Sequence, residues 1–96
     1  MKAIVCTTLG GPELLQLQEL PAPALKGREI RIAVKSAGVN FPDALQIAGK
    51  YQMKLNPPFT PGAEVAGVVS EVGSAVSTFK PGDAVAAFLP FGGYAE

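Results

Sequence analysis

Histidine and tryptophan are absent from this 96-residue chain, and cysteine occurs once. Without histidine there is no Ser-His-Asp triad, no Cys-His pair and no histidine-containing zinc site. A single cysteine allows neither an internal disulfide nor a four-cysteine zinc site, and suits an intracellular, cytoplasmic setting. Cys6 ends a short apolar run and reads as a small core residue rather than a nucleophile. Charge is scarce and balanced, with 8 Lys and Arg against 8 Asp and Glu. No basic stripe forms, so nucleic acid is not the expected partner. The apolar runs fall far short of a bilayer span, and residues 1–9 lack the pattern of a signal peptide, so no membrane partner is expected. The dinucleotide fingerprint G-x-G-x-x-G does not occur, nor does a β-α-β stretch to host it. Gly62 to Gly67 has the spacing of a phosphate loop, but Val68 and Val69 stand where Lys and Ser/Thr are required.

What the chain has is apolar content, 48%, with 11 glycines and 9 prolines. That is too hydrophobic for disorder and too punctuated for long helices. The length allows one domain, which buries roughly 60–70% of the surface its unfolded chain exposes. Lys2 to Thr7 predicts a first strand, and the imperfect alternation of Leu14 to Leu20 predicts its hairpin partner, with Leu15, Leu17 and Glu19 on one face. Pro21 and Pro23 then impose an extended connector. Glu29 to Lys35 alternates most cleanly: Ile30, Ile32 and Val34 point one way, and the charged residues the other. Pro42 to Ala48 predicts a short helix, with Asp43 at its positive start, Leu45 and Ala48 on one face, and Gly49 as its stop.

Gln52 to Pro61 reads as an irregular loop interrupted by prolines. Glu64 to Val72 is an apolar strand, broken at Gly67 and ended by Gly73. Lys80-Pro81-Gly82-Asp83 is a tight turn leading into a strand over Ala84 to Leu89, and Gly92-Gly93 opens another turn. Many short strands with one short helix describe a mainly-β, barrel-like unit. The stop at Glu96, just where a further strand begins, is expected to reflect truncation.

No catalytic constellation emerges from residue types alone. Asn40 fits the backbone-satisfying role of a helix cap. Tyr51 fits half-buried packing. Asp43 fits a first-turn helix residue, and Glu64 a structural hydrogen-bonding carboxylate. Phe59, Phe79, Phe88 and Phe91 are expected in core or inter-domain packing, any exposed copies marking a covered surface. Lys2, Lys26, Arg28, Arg31, Lys35 and Lys54 read as solvated charges.

Four stretches carry a resemblance: Ala37-Gly38-Val39-Asn40-Phe41-Pro42-Asp43, Pro58 through Val69, Phe79-Lys80-Pro81-Gly82-Asp83-Ala84-Val85, and Gly92-Gly93-Tyr94-Ala95-Glu96. Together with Met1-Lys2-Ala3-Ile4 and Gly11-Pro12-Glu13, they resemble the N-terminal GroES-like portion of the medium-chain dehydrogenases/reductases. The whole chain (1–96) is covered, in order. In the zinc alcohol dehydrogenases of that superfamily, the position matching Asn40 is Cys and that matching Ala63 is His. Asn is a poor zinc ligand, Ala is none, and Glu64 alone cannot hold the ion. The chain is therefore similar to the zinc-free quinone oxidoreductase (zeta-crystallin-like) branch, with no metal site.

The resemblance implies a partly open GroES-like β-barrel with one short helix, lying before a Rossmann cofactor domain that is absent here. It implies hydride transfer from NADPH to a quinone or enone. Asn40 and Phe41 would lie beside the cofactor. Asn40 and Tyr51 would serve as catalytic residues, Tyr51 donating to the developing oxyanion, a contribution worth about 3–4 kcal/mol in favourable cases. Without the Rossmann domain, no turnover is expected. An enoyl-thioester reductase and a non-catalytic GroES-like binding module remain as alternatives. Two positions depart from the family pattern: Ala84, where Arg is common after Gly-Asp, and Lys50 before Tyr51. A homo-oligomer is expected from the strand edges left unpaired.

Overall fold

The structure, a computed structural model, describes all 96 residues. Strand β1 (Lys2–Cys6) pairs antiparallel with β2 (Leu15–Glu19), in register from Lys2 opposite Glu19 to Cys6 opposite Leu15. A single 3-10 turn, Pro12–Leu14, closes this hairpin. The β-forming apolar residues of β1 supply the driving force: Ala3, Val5 and Cys6 are buried. The three remaining strands, β3 (Ile30–Ala37), β4 (Glu64–Val72) and β5 (Ala84–Phe88), form an antiparallel sheet with β4 in the centre. Between β3 and β4 lies the one helix, α1 (Phe41–Ile47).

The two sheets share no ladder between their named strands. Residues Tyr94–Glu96 join them. The Ile4 amide donates to the Tyr94 carbonyl at 2.9 Å, and the Glu96 amide donates to the Lys2 carbonyl at 3.0 Å. On the other side, the Val34 amide donates to the Glu96 carbonyl at 3.1 Å. The strand path therefore runs β2, β1, residues 94–96, β3, β4, β5. It does not close, and the molecule measures 40 × 24 × 21 Å. This is the mainly-β, partly open, GroES-like arrangement that the sequence suggests.

Two apolar centres hold it. Cys6, Ile47 and Phe59 pack together with Leu15 and Leu55, seating α1 on the hairpin. The Gly10 amide reinforces that seat by donating to the Ile47 carbonyl at 2.7 Å. The second centre is the inner face of β4, where Val65, Gly67 and Val69 are buried in strict alternation.

Several local expectations change. β3 does not alternate cleanly: register shifts between Arg31 and Ile32 and between Val34 and Ser36 rotate the strand, leaving all of Ile30 to Val34 half-buried. Arg31 is not a free solvated charge. Its Nη1 donates to Glu71 Oε1 at 2.7 Å, and Nη2 donates to the Pro23 carbonyl. Gly67 does not break β4. It lies inside the strand, and a Cβ there would collide with the Ala33 carbonyl oxygen of β3. Of the four phenylalanines expected in packing, only Phe59 is buried. Phe79 and Phe91 are exposed, and Phe88 is 88% exposed on the outward set of β5.

Gly82 illustrates the other use of glycine. It takes φ +95° in the Lys80–Asp83 turn with nothing near its missing Cβ. In that turn the Lys80 ammonium, 2.8 Å from Asp83 Oδ1, holds the Asp83 carboxyl below its ordinary range by direct hydrogen bonding.

The two glycines separate by mechanism. Gly82→Ala adds left-handed backbone strain only and is expected to cost about 1–2 kcal/mol. Gly67→Ala forces β3 and β4 apart and is expected to cost about 2–3 kcal/mol or more. Urea unfolding of the two variants beside the parent sequence checks the order; equal losses would contradict it.

Candidate functional site

The end of the β3–β4 pair where β3 finishes brings together the residues that the sequence singles out. Ala37 is the last β3 residue in register, opposite Val65. Beyond it, the Gly38 amide donates to the Glu64 carbonyl at 3.1 Å. Asn40 and Ala63 therefore stand at one end of the sheet, each just past the ladder. β5 reaches the same end: Glu64 is opposite Phe88, and the Leu89 amide donates to the Ala63 carbonyl at 2.7 Å. Ser36, Gly38, Glu64 and Phe88 line a shallow cleft there with a volume of about 350 Å³. Glu64 lies over Gly38, so close that a Cβ on the glycine would strike its carboxylate. The structural carboxylate expected at this position is thus a packing neighbour of Gly38 and a cleft wall.

α1 starts at this end. Asn40 is its N-cap, with φ −128° and ψ 162°. Asn40 and Asp43 form a capping box: Asp43 Oδ2 accepts the Asn40 backbone N–H at 3.0 Å, and the Asn40 side chain faces the Asp43 backbone N–H in return. The Asn40 side chain is exposed, with its NH2 group still available to donate. Beside it, Phe41 is 75% exposed.

The buried face of α1 is Asp43, Gln46 and Ile47, not the Leu45–Ala48 face that apolar spacing suggests. Asp43 is 4% exposed and Gln46 is 3% exposed. Gln46 Nε2 donates to the Pro90 carbonyl at 2.8 Å. The Tyr94 hydroxyl donates to Asp43 Oδ2 at 2.5 Å. Asp43 Oδ1 and Gln46 Oε1 are buried without a donor, and each such acceptor costs about 1–3 kcal/mol. Apolar side chains would bind this helix to the sheet more cheaply.

Sequence reasoning missed Tyr94 and Gln46. Tyr94 lies 51 residues from Asp43, and no local pattern links them. The signal available was Gln46 three residues after Asp43, which places two polar side chains on one helix face.

Tyr51 is half-buried, past the C-terminal end of α1. Neither it nor Asn40 or Phe41 lines the cleft formed at this end of the sheet by Ser36, Gly38, Glu64 and Phe88. The structure thus brings Asn40, Phe41, Ala63 and Glu64 to one end of the sheet and does not bring Tyr51 to them in a shared pocket. No three His, Cys, Asp or Glu side chains gather anywhere in the chain, and no helix is long and apolar enough to cross a membrane.

Burial first, then the hydrogen bond to Asp43, push the Tyr94 phenol well above its ordinary range. Its neutral form is favoured by folding. Above the ordinary tyrosine pKa of about 10, the unfolded chain releases this proton and the folded chain retains it, so stability falls with rising pH there. The chain has two tyrosines, so in Tyr51→Phe the absorbance of Tyr94 alone reports the transition. Its phenolate is expected to appear only as the fold opens; ionisation at the free-tyrosine pH in folded protein would contradict the buried bond.

The comparisons with known proteins agree with this geometry. Residues 26–96 match the alcohol dehydrogenase GroES-like domain. The chain is 43% identical to the quinone oxidoreductase of Rattus norvegicus over 98 aligned positions, covering 100% of the chain and 30% of that protein. Among solved structures, a probable oxidoreductase from Mycobacterium abscessus superposes with a TM-score of 0.94 at 48% identity, over 100% of the chain and 30% of that protein. The quinone oxidoreductase of Escherichia coli, in complex with NADPH, superposes with a TM-score of 0.92 at 36% identity, over 99% of the chain and 29% of that protein. The chain thus spans about 30% of the length of these relatives. With its motifs in order, its open barrel and its helix at the end of the β3–β4 pair, the chain belongs to the alcohol dehydrogenase GroES-like domain family, in the company of quinone oxidoreductases of the medium-chain dehydrogenase/reductase superfamily.

Proposed function

We propose that these residues are the N-terminal segment of a longer, zinc-independent, NADPH-dependent reductase that acts on a quinone or a carbonyl-conjugated alkene. One observation carries the reading most directly. Asn40 and Ala63 stand at the same end of the β3–β4 pair, where one offers an exposed side-chain NH2 group and the other only a methyl group. That donor set is suited to hydrogen bonding and unsuited to holding zinc. The relatives named quinone oxidoreductases, one of them complexed with NADPH, support the cofactor and acceptor class.

The exposed Asn40 NH2 group and the exposed Phe41 ring fit a nicotinamide ribose group: the NH2 can donate to a ribose hydroxyl or a substrate carbonyl, and the ring offers a flat apolar surface. When bound, the cofactor supplies the hydride. This chain's residues position the reactants and stabilise the oxygen that gains negative charge. Asn40 orients, Phe41 packs and excludes water, and the Tyr51 phenol donates to the oxyanion. The segment contributes one wall of the cleft and, on this reading, the facing Rossmann wall lies in the rest of the protein. The 96-residue chain by itself then does not turn over.

Loss of nicotinamide absorbance with a simple benzoquinone tests this in the full-length protein and in residues 1–96 alone. Turnover is expected only in the former. Removing one oxyanion donor by Tyr51→Phe is expected to lower kcat by about 10²-fold, and Asn40→Ala to weaken NADPH binding in a fluorescence titration. Turnover by the short chain, or full-length protein indifferent to both substitutions, would overturn the reading.

A further inference from the structure

We propose that Asp43 is a positioning residue for the candidate site, acting through Asn40: one carboxylate oxygen fixes the start of α1 and ties it to the loop pair that carries position 63. The inference rests on the reading of Asn40 as cofactor-facing and adds a residue to which that reading assigns no part.

The geometry is specific. Asp43 Oδ2 accepts two hydrogen bonds, from the Asn40 backbone N–H at 3.0 Å and from the Tyr94 hydroxyl at 2.5 Å. The first bond, half of a capping box with Asn40, sets the backbone of Asn40 and so the direction in which its exposed side-chain NH2 group leaves the chain. The second reaches a different part of the fold. Tyr94 is held to the segment before β4 by backbone bonds: its amide donates to the Pro61 carbonyl at 2.9 Å, and the Gly93 amide donates to the Gly62 carbonyl at 3.0 Å. That segment leads directly into Ala63 and Glu64. A single buried oxygen therefore couples the Asn40–Phe41 ledge to the Ala63–Glu64 side of the cleft. Gln46 supports the same clamp one turn along, through the Pro90 carbonyl at 2.8 Å.

Seating α1 by packing alone does not require this chemistry. Asp43 is 4% exposed, and its second oxygen has no donor. A leucine or methionine would seat α1 without an underbonded carboxylate. What an apolar residue cannot do is accept from the Asn40 amide and the Tyr94 hydroxyl at once. Orienting groups behind metal-ligating side chains act in this way, and their loss there costs about 10–100-fold in affinity or activity.

A double-mutant cycle in the full-length protein tests the idea, with NADPH affinity as one readout and the Asn40 amide proton, followed by NMR, as the other. Asp43→Ala is expected to raise the NADPH Kd about 10-fold and to move the Asn40 amide proton upfield with faster exchange. Tyr94→Phe keeps the ring and is expected to give the same changes at smaller size. Asp43→Asn retains an acceptor oxygen and is expected to restore most of the affinity. Because Asp43 acts through Asn40, Asp43→Ala is expected to add no further loss in an Asn40→Ala background. Additive losses, or an unmoved Asn40 amide proton in Tyr94→Phe, would overturn the proposal. Should Asp43→Ala fail to fold, Tyr94→Phe and Asp43→Asn still decide through the amide proton. A protein that binds no NADPH at all defeats the functional reading instead, while the amide measurement continues to judge the positioning role.

Discussion

Three residues, Tyr94 to Glu96, hold the two sheets of this molecule side by side. β1 and β2 form one ladder and β3, β4 and β5 another. Only the short passage of backbone between them, bonded to Lys2 and Ile4 on one side and to Val34 on the other, makes them a single curved surface. Backbone groups that pair in this way avoid the cost of burial without a partner, and they set each sheet edge one strand spacing from the passage. The Tyr94 hydroxyl extends the same junction by reaching Asp43, so the passage that joins the sheets also orients the helix.

Dependence on directed bonds suits a chain with little core. Only 14 of its 96 residues are buried, and the largest apolar cluster of fully buried side chains is Cys6, Ile47 and Phe59. Burial also pushes the Cys6 thiol upward, in keeping with a packing role and not a nucleophilic one. The chain has 45 backbone hydrogen bonds, whereas a domain of about 100 residues carries on the order of 65–70. Exposed apolar residues such as Val39, Phe41 and Phe88 stand beside the candidate site, and the same features that keep the core small leave this end of the sheet open.

At the end of the β3–β4 pair, positions 40 and 63 carry an amide and a methyl group, and their fixed relation comes from a carboxylate, a phenol and backbone amides.

Sequence alone determined much of this protein, because strand and turn signals are local. The apolar strand of Glu64 to Val72, the Lys80-Pro81-Gly82-Asp83 turn, the hairpin of β1 and β2 and the stop at Gly49 all follow from runs of β-forming residues and from residues able to take unusual φ. The family resemblance was legible for the same reason, since its motifs are contiguous. Only the tertiary structure decided which face of α1 is buried. Apolar spacing favoured Leu45 and Ala48, yet the partners of Asp43 and Gln46 are Tyr94 and Pro90, which no helical or strand period connects to them. Tertiary structure likewise turned Gly67 from an apparent strand breaker into a contact point, because the Ala33 carbonyl of a separate strand occupies the space that a side chain would need. Local chemistry writes the elements; a hydrogen bond between distant residues acts only after the chain has brought them together.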